Sequence, residues 1–150
     1  MQWVDPHLAG SVWNRVLGTA PPEPEPLLEL IHREWLDVSA GLYLALRFKG
    51  REAALLRQMA HHDQSHAKSL TGIYMLLTGK KPTVTTPAPK ADSTEAALQR
   101  CFSEKIQRAE AYESHTADPE YGFIFRIMAE QERHHAQSLL ELLGSQKERI

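Results

Sequence analysis

The chain has very little cysteine: Cys101 is the single one among 150 residues. One cysteine cannot close a disulfide within the chain. It also excludes zinc knuckles, rubredoxin-type iron sites and cysteine-ligated clusters, all of which need several thiolates. Histidine is abundant by contrast, with eight residues, and 19 residues are acidic. A metal site in this chain would therefore be built from imidazoles and carboxylates.

Long apolar runs and an excess of charge are missing as well. No apolar stretch approaches the roughly 20 residues of a membrane-spanning helix. The first ten residues, MQWVDPHLAG, have no basic region followed by an apolar run, so we expect no signal peptide. The formal net charge of −2 argues against nucleic acid or an anionic membrane as a partner. These absences predict a cytoplasmic protein whose length suits one domain.

Proline and glycine divide the chain into four parts. Residues 1–26 are predicted to form an extension that ends in the stiff, extended segment 21–26. A short amphipathic helix within it would contain Val12, Trp13, Val16 and Leu17. Residues 27–78 and 93–143 follow a helical apolar period, broken near residues 49–50 and 118–119. Asp92 begins a capping-box-like sequence, and Gly144 is expected to cap the last helix, leaving 144–150 as a tail.

The pattern predicts an all-α protein with four helices, A to D in chain order, because no segment alternates like a strand. The connection between B and C, residues 79–92, contains three prolines and no helical period. Fully extended, it spans about 45 Å. Helix B, predicted over about residues 51–78, is roughly 40 Å long. The linker can therefore return the chain along the whole bundle, so that B and C run parallel.

An internal repeat relates helices B and D. Residues 59–70, MAHHDQSHAKSL, and 128–139, MAEQERHHAQSL, share six of twelve positions at an offset of 69. A seventh position exchanges Asp63 for Glu132. Such similarity in the middle of two helices indicates duplication of an ancestral helical hairpin.

Each repeat places an acid and a histidine within its apolar stripe. Asp63 and His66 continue the spacing of Met59 and Leu70, and Glu132 and His135 do the same in helix D. An unpaired carboxylate in a bundle core costs several kcal/mol or takes up a proton. One buried pair of this kind is more often an ordinary core hydrogen bond. Two equivalent pairs favour a metal, because an acid and a histidine at i and i+3 point to one location.

Further ligands are expected from helices A and C. Glu34 and Asp37 both lie on the stripe of helix A, and Glu34 is level with Asp63 and His66 when counted from the A–B turn. In helix C, Glu104 lies as far from the C–D turn as Glu132 does, but on a regular helix its side chain points away from the apolar stripe. A π-bulge would turn it toward the core. Without a bulge, Lys105 would take the ligand position. In helix B, His62 is an additional candidate nitrogen ligand.

Together these residues resemble the ferritin-like superfamily, specifically the rubrerythrin-like carboxylate-bridged dimetal proteins. The resemblance covers residues 27–143 and implies a ferritin-like four-helix bundle with a long B–C crossover. It also implies the metal ligands Glu34, Asp63, His66, Glu104, Glu132 and His135. Asp37, as a substitute ligand or a partner of a ligand, and His62 are further candidates from their own positions on helices A and B.

Three departures from the family pattern concern the site. Asp63 stands where the family has glutamate. Gly41 and Ala111 stand where members often carry a tyrosine, with Tyr43 and Tyr112 nearby but off register. A rubredoxin-like CxxC module is missing.

The resemblance implies a non-haem oxidoreductase with two iron ions, or with manganese or zinc, that reacts with peroxide or O₂ or oxidises Fe(II). It also implies a homodimer and an external electron donor. The alternative is a non-catalytic protein that holds zinc or iron in a degenerate site, which the shorter Asp63 and the register of Glu104 favour. A third hypothesis is an interaction bundle whose segment around Trp3 and Trp13 docks a partner chain.

Overall fold

Four helices make up most of the described chain. The computed structural model describes residues 24–85, 88 and 92–148. Predicted helices A to D correspond in order to α1 (Pro24–Ala45), α2 (Gly50–Thr78), α3 (Thr94–Glu113) and α4 (Gly122–Glu148). No strand occurs in the described ranges, in agreement with the all-α prediction. The short helix and the docking segment expected within residues 1–23 lie outside the described residues.

Three helix ends differ from the sequence-based expectation. Helix α1 begins at Pro24, inside the predicted extension. Proline is tolerated there because backbone N–H groups in the first turn of a helix make no hydrogen bond within the helix. Helix α4 runs through Gly144 to Glu148, so this glycine does not cap it. A glycine inside a helix costs only about 1 kcal/mol relative to alanine, so it does not by itself end a helix as long as this one.

The N-cap of α3 is Ser93, one residue later than the expected Asp92. The Ser93 hydroxyl accepts a hydrogen bond of 3.1 Å from the Ala96 backbone N–H. Asp92 forms an ion pair with Arg100 instead.

Replacing this cap with Ser93→Ala should lower the free energy of unfolding by about 1 kcal/mol, because the Ala96 N–H loses its acceptor. Urea denaturation followed by circular dichroism measures the loss. Ser103→Ala, an exposed position within the same helix, is the matched control. Equal effects of the two substitutions would contradict a capping role.

Two apolar clusters lie at opposite ends of the bundle. The Tyr112 cluster combines the beginnings of α1 and α4 with the ends of α2 and α3, and it is formed by Leu27, Leu30, Ile31, Leu70, Ile73, Tyr112, Tyr121, Phe125, Met128 and Ala129. The Leu98 cluster combines the opposite ends, and it is formed by Leu44, Ala45, Leu56, Met59, Ala97, Leu98, Leu139, Leu142 and Leu143. Helices α2 and α3 therefore run parallel, and so do α1 and α4.

The parallel course of α2 and α3 requires a long connection. Helix α2 ends at the Tyr112 cluster, where Gly79 has a φ of 68° and donates a hydrogen bond of 2.8 Å to the Met75 carbonyl. Helix α3 begins at the Leu98 cluster, so the end of α2 and the beginning of α3 lie at opposite ends of the bundle. Among the described residues, no helix combines the length and apolarity needed to cross a membrane.

Candidate metal site

Between the two apolar clusters lies a buried polar layer to which every helix contributes. Its members are Glu34 of α1, Asp63 and His66 of α2, Lys105 of α3, and Glu132 and His135 of α4, each at most 4 % exposed. Each of these residues continues the apolar stripe of its helix, which is why the folding of the helices buries it. The layer thus contains five of the six ligands expected from the sequence, together with a lysine.

Four members of the polar layer converge closely enough to hold one ion. Glu34, Asp63, His66 and Glu132 each offer a ligand atom within 4.8 Å of the other three. His66 is central, because its Nδ1 lies 2.9 Å from Glu132 Oε1 and 3.5 Å from Glu34 Oε1. These residues could hold a metal ion.

Both ring nitrogens of His66 face oxygen acceptors, an arrangement that favours the imidazolium form. Its Nδ1 donates to Glu132, and its Nε2 donates to Gln131 Oε1 at 2.5 Å. Burial alone would lower the pKa of His66, but the hydrogen bond to Glu132 and the Glu34 carboxylate raise it to about 10. A metal ion at this position has to displace that proton.

Lys105 is the second cation of the polar layer. Its Nζ donates to Asp63 Oδ2 at 2.5 Å and lies 3.3 Å from Glu132 Oε2. Burial opposes the charged form, but Asp63 and Glu132 outweigh it and raise the pKa of Lys105 well above its usual value. The same ammonium and His66 hold the pKa of Glu132 below its usual range despite burial.

Glu104 lies outside the polar layer, although we expected it to be a ligand. Its side chain is 35 % exposed, and Oε2 lies 3.1 Å from Arg108 Nη2 and 3.6 Å from Arg33 Nη1. The reason is that α3 is a regular helix from Thr94 to Glu113, without the π-bulge that would have turned Glu104 inward. Lys105 occupies the inward position instead.

Asp37 borders the polar layer on the side of α3. Its Oδ2 lies 3.3 Å from Arg108 Nη2 and 3.8 Å from Lys105 Nζ. Burial raises the pKa of Asp37 to about 7, against the lowering effect of Lys105 and Arg108. Asp37 is therefore a partner of these two cations and lies outside the four-residue group.

Tyr112 holds Glu34 in place. Its hydroxyl donates to Glu34 Oε1. Its ring packs edge-on against His66 and is tilted by 43° against Phe125. Burial, and then the Glu34 carboxylate, raise the pKa of Tyr112 well above its usual value, so the hydroxyl keeps its proton. The other Glu34 oxygen, Oε2, is buried without a hydrogen-bond partner.

The histidine of the second repeat has different surroundings from His66. His135 Nε2 lies 3.0 Å from His62 Nδ1, and the two rings are nearly parallel. His135 Nδ1 is buried without a hydrogen-bond partner and lies 3.7 Å from Asp63 Oδ1. Burial and the Lys105 ammonium lower the pKa of His135 to about 3, so its imidazole is neutral. His62 and His135 both lie outside the four-residue group.

A surface groove approaches the polar layer between α1 and α3. It encloses about 560 Å³ and is lined by residues that include Arg33, Leu36, Asp37 and Cys101. Asp37 and Cys101 also line a smaller cavity of about 20 Å³ that reaches Asp63 and Lys105. The two shared side chains separate the groove from the buried layer.

No protein-family model, no curated protein and no solved structure matches this chain.

Three side chains around the site were missing from the predicted ligand and partner set: Arg108, Tyr112 and Gln131. Tyr112 lies on the stripe of its helix, which signals burial but not its bond to Glu34. Arg108 follows Lys105 by one helical turn, and only the acids of α1 and α3 explain its burial. Gln131 has no sequence signal that we can identify.

Proposed function

We propose that this chain is a metal-binding bundle of the ferritin-like type that holds one divalent transition-metal ion in its polar layer. The convergence of Glu34, Asp63, His66 and Glu132 from three helices carries the proposal. Burying three carboxylates in the middle of a bundle is costly unless cations compensate them. A protein that needed only a stable core would gain nothing from such a set.

The donor atoms fit one ion. Glu34 Oε2 and Asp63 Oδ1 are buried without hydrogen-bond partners, although buried oxygens are nearly always satisfied. An ion beside His66 Nδ1 would supply the missing partner and replace the histidine proton. Carboxylate oxygens and one imidazole suit iron(II), manganese(II) or zinc(II), and the lack of thiolates disfavours copper(I).

In the bound state the metal would supply Lewis acidity and, if it were iron or manganese, a redox couple. The residues of the chain do the rest. Tyr112 fixes the orientation of Glu34, Gln131 fixes the ring of His66, and the two apolar clusters exclude water.

The second candidate is the di-iron oxidoreductase implied by the resemblance. The repeat of Asp63 and His66 in Glu132 and His135 favours it, since each repeat would serve one metal. The ammonium of Lys105 beside Asp63 and Glu132 counts against it. We therefore prefer the single-ion, metal-binding alternative.

Calorimetric titration of chelator-treated protein with zinc(II) tests the proposal. We expect one ion per chain and the release of at least one proton, which two buffers of different ionisation enthalpy will reveal. Since His66 has a metal-free pKa of about 10 and binds metal only when neutral, the affinity should rise about tenfold per pH unit between about pH 6 and pH 8. An affinity that falls with pH, or no saturable binding, would refute the proposal.

A further inference from the structure

Two carboxylates in the polar layer each face two different cations. Glu132 Oε1 lies 2.9 Å from His66 Nδ1, and Glu132 Oε2 lies 3.3 Å from Lys105 Nζ. Asp63 Oδ2 lies 2.5 Å from Lys105 Nζ. Asp63 Oδ1 has no hydrogen-bond partner and lies 4.0 Å from His66 Nδ1 and 3.7 Å from His135 Nδ1. Asp63 and Glu132 thus bridge two cation positions, one beside His66 and one at the Lys105 ammonium.

We propose that Lys105 Nζ is a built-in second cation of this carboxylate-bridged centre, so that the chain binds one metal ion and excludes a second. This inference rests on the proposed metal site beside His66. It assigns Lys105 as the residue that sets the metal stoichiometry, and it departs from the two-metal centre that the repeat implies.

The balance of charge in the layer supports a single ion. The layer contains three acids, Glu34, Asp63 and Glu132, and one fixed cation, Lys105. Asp37 and Glu104 pair with Arg108 at its border. One divalent ion in place of the His66 proton would neutralise the remaining two negative charges. A second divalent ion would leave two uncompensated positive charges in a buried layer, which is strongly unfavourable.

Lys105 cannot vacate its position by turning toward solvent. Its side chain is 5 % exposed and lies among Leu56, Met59 and Leu139 around the cavity of about 20 Å³. A second ion would have to share this space with a retained ammonium only 2.5 Å from Asp63 Oδ2. Both the volume and the charge of Lys105 therefore close the second position.

Cobalt(II) binding to wild type and to Lys105→Glu tests the inference. Equilibrium dialysis with elemental analysis should give one ion per chain for wild type and two for Lys105→Glu, because the substitution removes a cation and adds a ligand. Low-temperature electron paramagnetic resonance gives a second measurement. The signal of an isolated cobalt(II) ion should persist in saturated wild type and should be lost or broadened in the variant as two bridged ions couple.

Lys68→Glu is the matched control, since Lys68 is exposed on α2 and the change in net charge is the same. It should bind one ion, as wild type does. Lys105→Gln serves as a second variant in case Lys105→Glu fails to fold. It keeps a polar side chain but removes the charge, so it should bind a second ion with lower affinity than the first.

The outcomes separate the two proposals. Wild type that binds two ions, or whose cobalt signal is already coupled, overturns the role of Lys105 and leaves the metal site standing. Folded Lys105→Glu with a single ion does the same. Wild type that binds no cobalt overturns both the metal site and the inference built on it.

Discussion

Substituting Glu132 with glutamine should lower the free energy of unfolding of the metal-free protein by about 3–5 kcal/mol at neutral pH, as expected when one partner of a buried ion pair is removed. Glu132 is fully buried and is the carboxylate shared by His66 and Lys105. Glutamine keeps the size of the side chain but not its charge. Two buried cations then lose part of their compensation.

Urea denaturation in the presence of a chelator measures this loss. Glu130→Gln is the matched control, because Glu130 is exposed on the same helix. It should change the stability by less than about 0.5 kcal/mol. A loss below about 1 kcal/mol for Glu132→Gln would mean that the layer does not depend on this charge.

The second large effect concerns the two histidines that the repeat makes equivalent. His66→Ala should weaken metal binding by well over ~100-fold, since even a residue that only supports a ligand typically contributes 10–100-fold. His135→Ala should weaken it by about tenfold or less, because His135 lies outside the four-residue group and acts through its neighbours. Competition with a chromophoric chelator measures both affinities.

His134→Ala, an exposed position next to His135, controls for the loss of a surface imidazole. Circular dichroism of all three variants separates lost ligands from lost structure. Equal and large effects of His66→Ala and His135→Ala would favour a site in which each repeat serves one metal.

Periodicity was sufficient to predict the four helices and the depth of the site. Polar residues inside an apolar stripe have to meet in the core, which brings Glu34, Asp63, His66 and Glu132 together. The length of the linker was sufficient to predict that α2 and α3 run parallel, because a much shorter connection could not reach the opposite end of the bundle. Both arguments use only distances along the chain and the geometry of a helix.

The role of α3 could not be predicted in the same way. Glu104 and Lys105 are neighbours, and a rotation of one residue decides which of them points inward. The structure keeps the helix regular and turns Lys105 inward, where the acids of three other helices surround it. Which of the two residues points inward depends on the acids of the other three helices, and the sequence of α3 alone does not determine it.

The repeat also hides an asymmetry. His66 and His135 occupy the same place in their motifs, but the longer Glu132 reaches His66 whereas the shorter Asp63 is held by Lys105. One histidine therefore becomes a cation and the other stays neutral. The difference arises from one methylene and from a lysine on another helix, which similarity between the motifs does not reveal.

The narrow cavity between the groove and the polar layer has a kinetic consequence. A space of about 20 Å³ has room for about one water molecule. An ion that came from the groove would have to lose most of its hydration shell to reach this cavity past Asp37 and Cys101. Under the proposed metal-binding function, exchange of the ion with solvent would therefore be slow compared with diffusion, and the occupied state would outlast a brief fall in free metal outside.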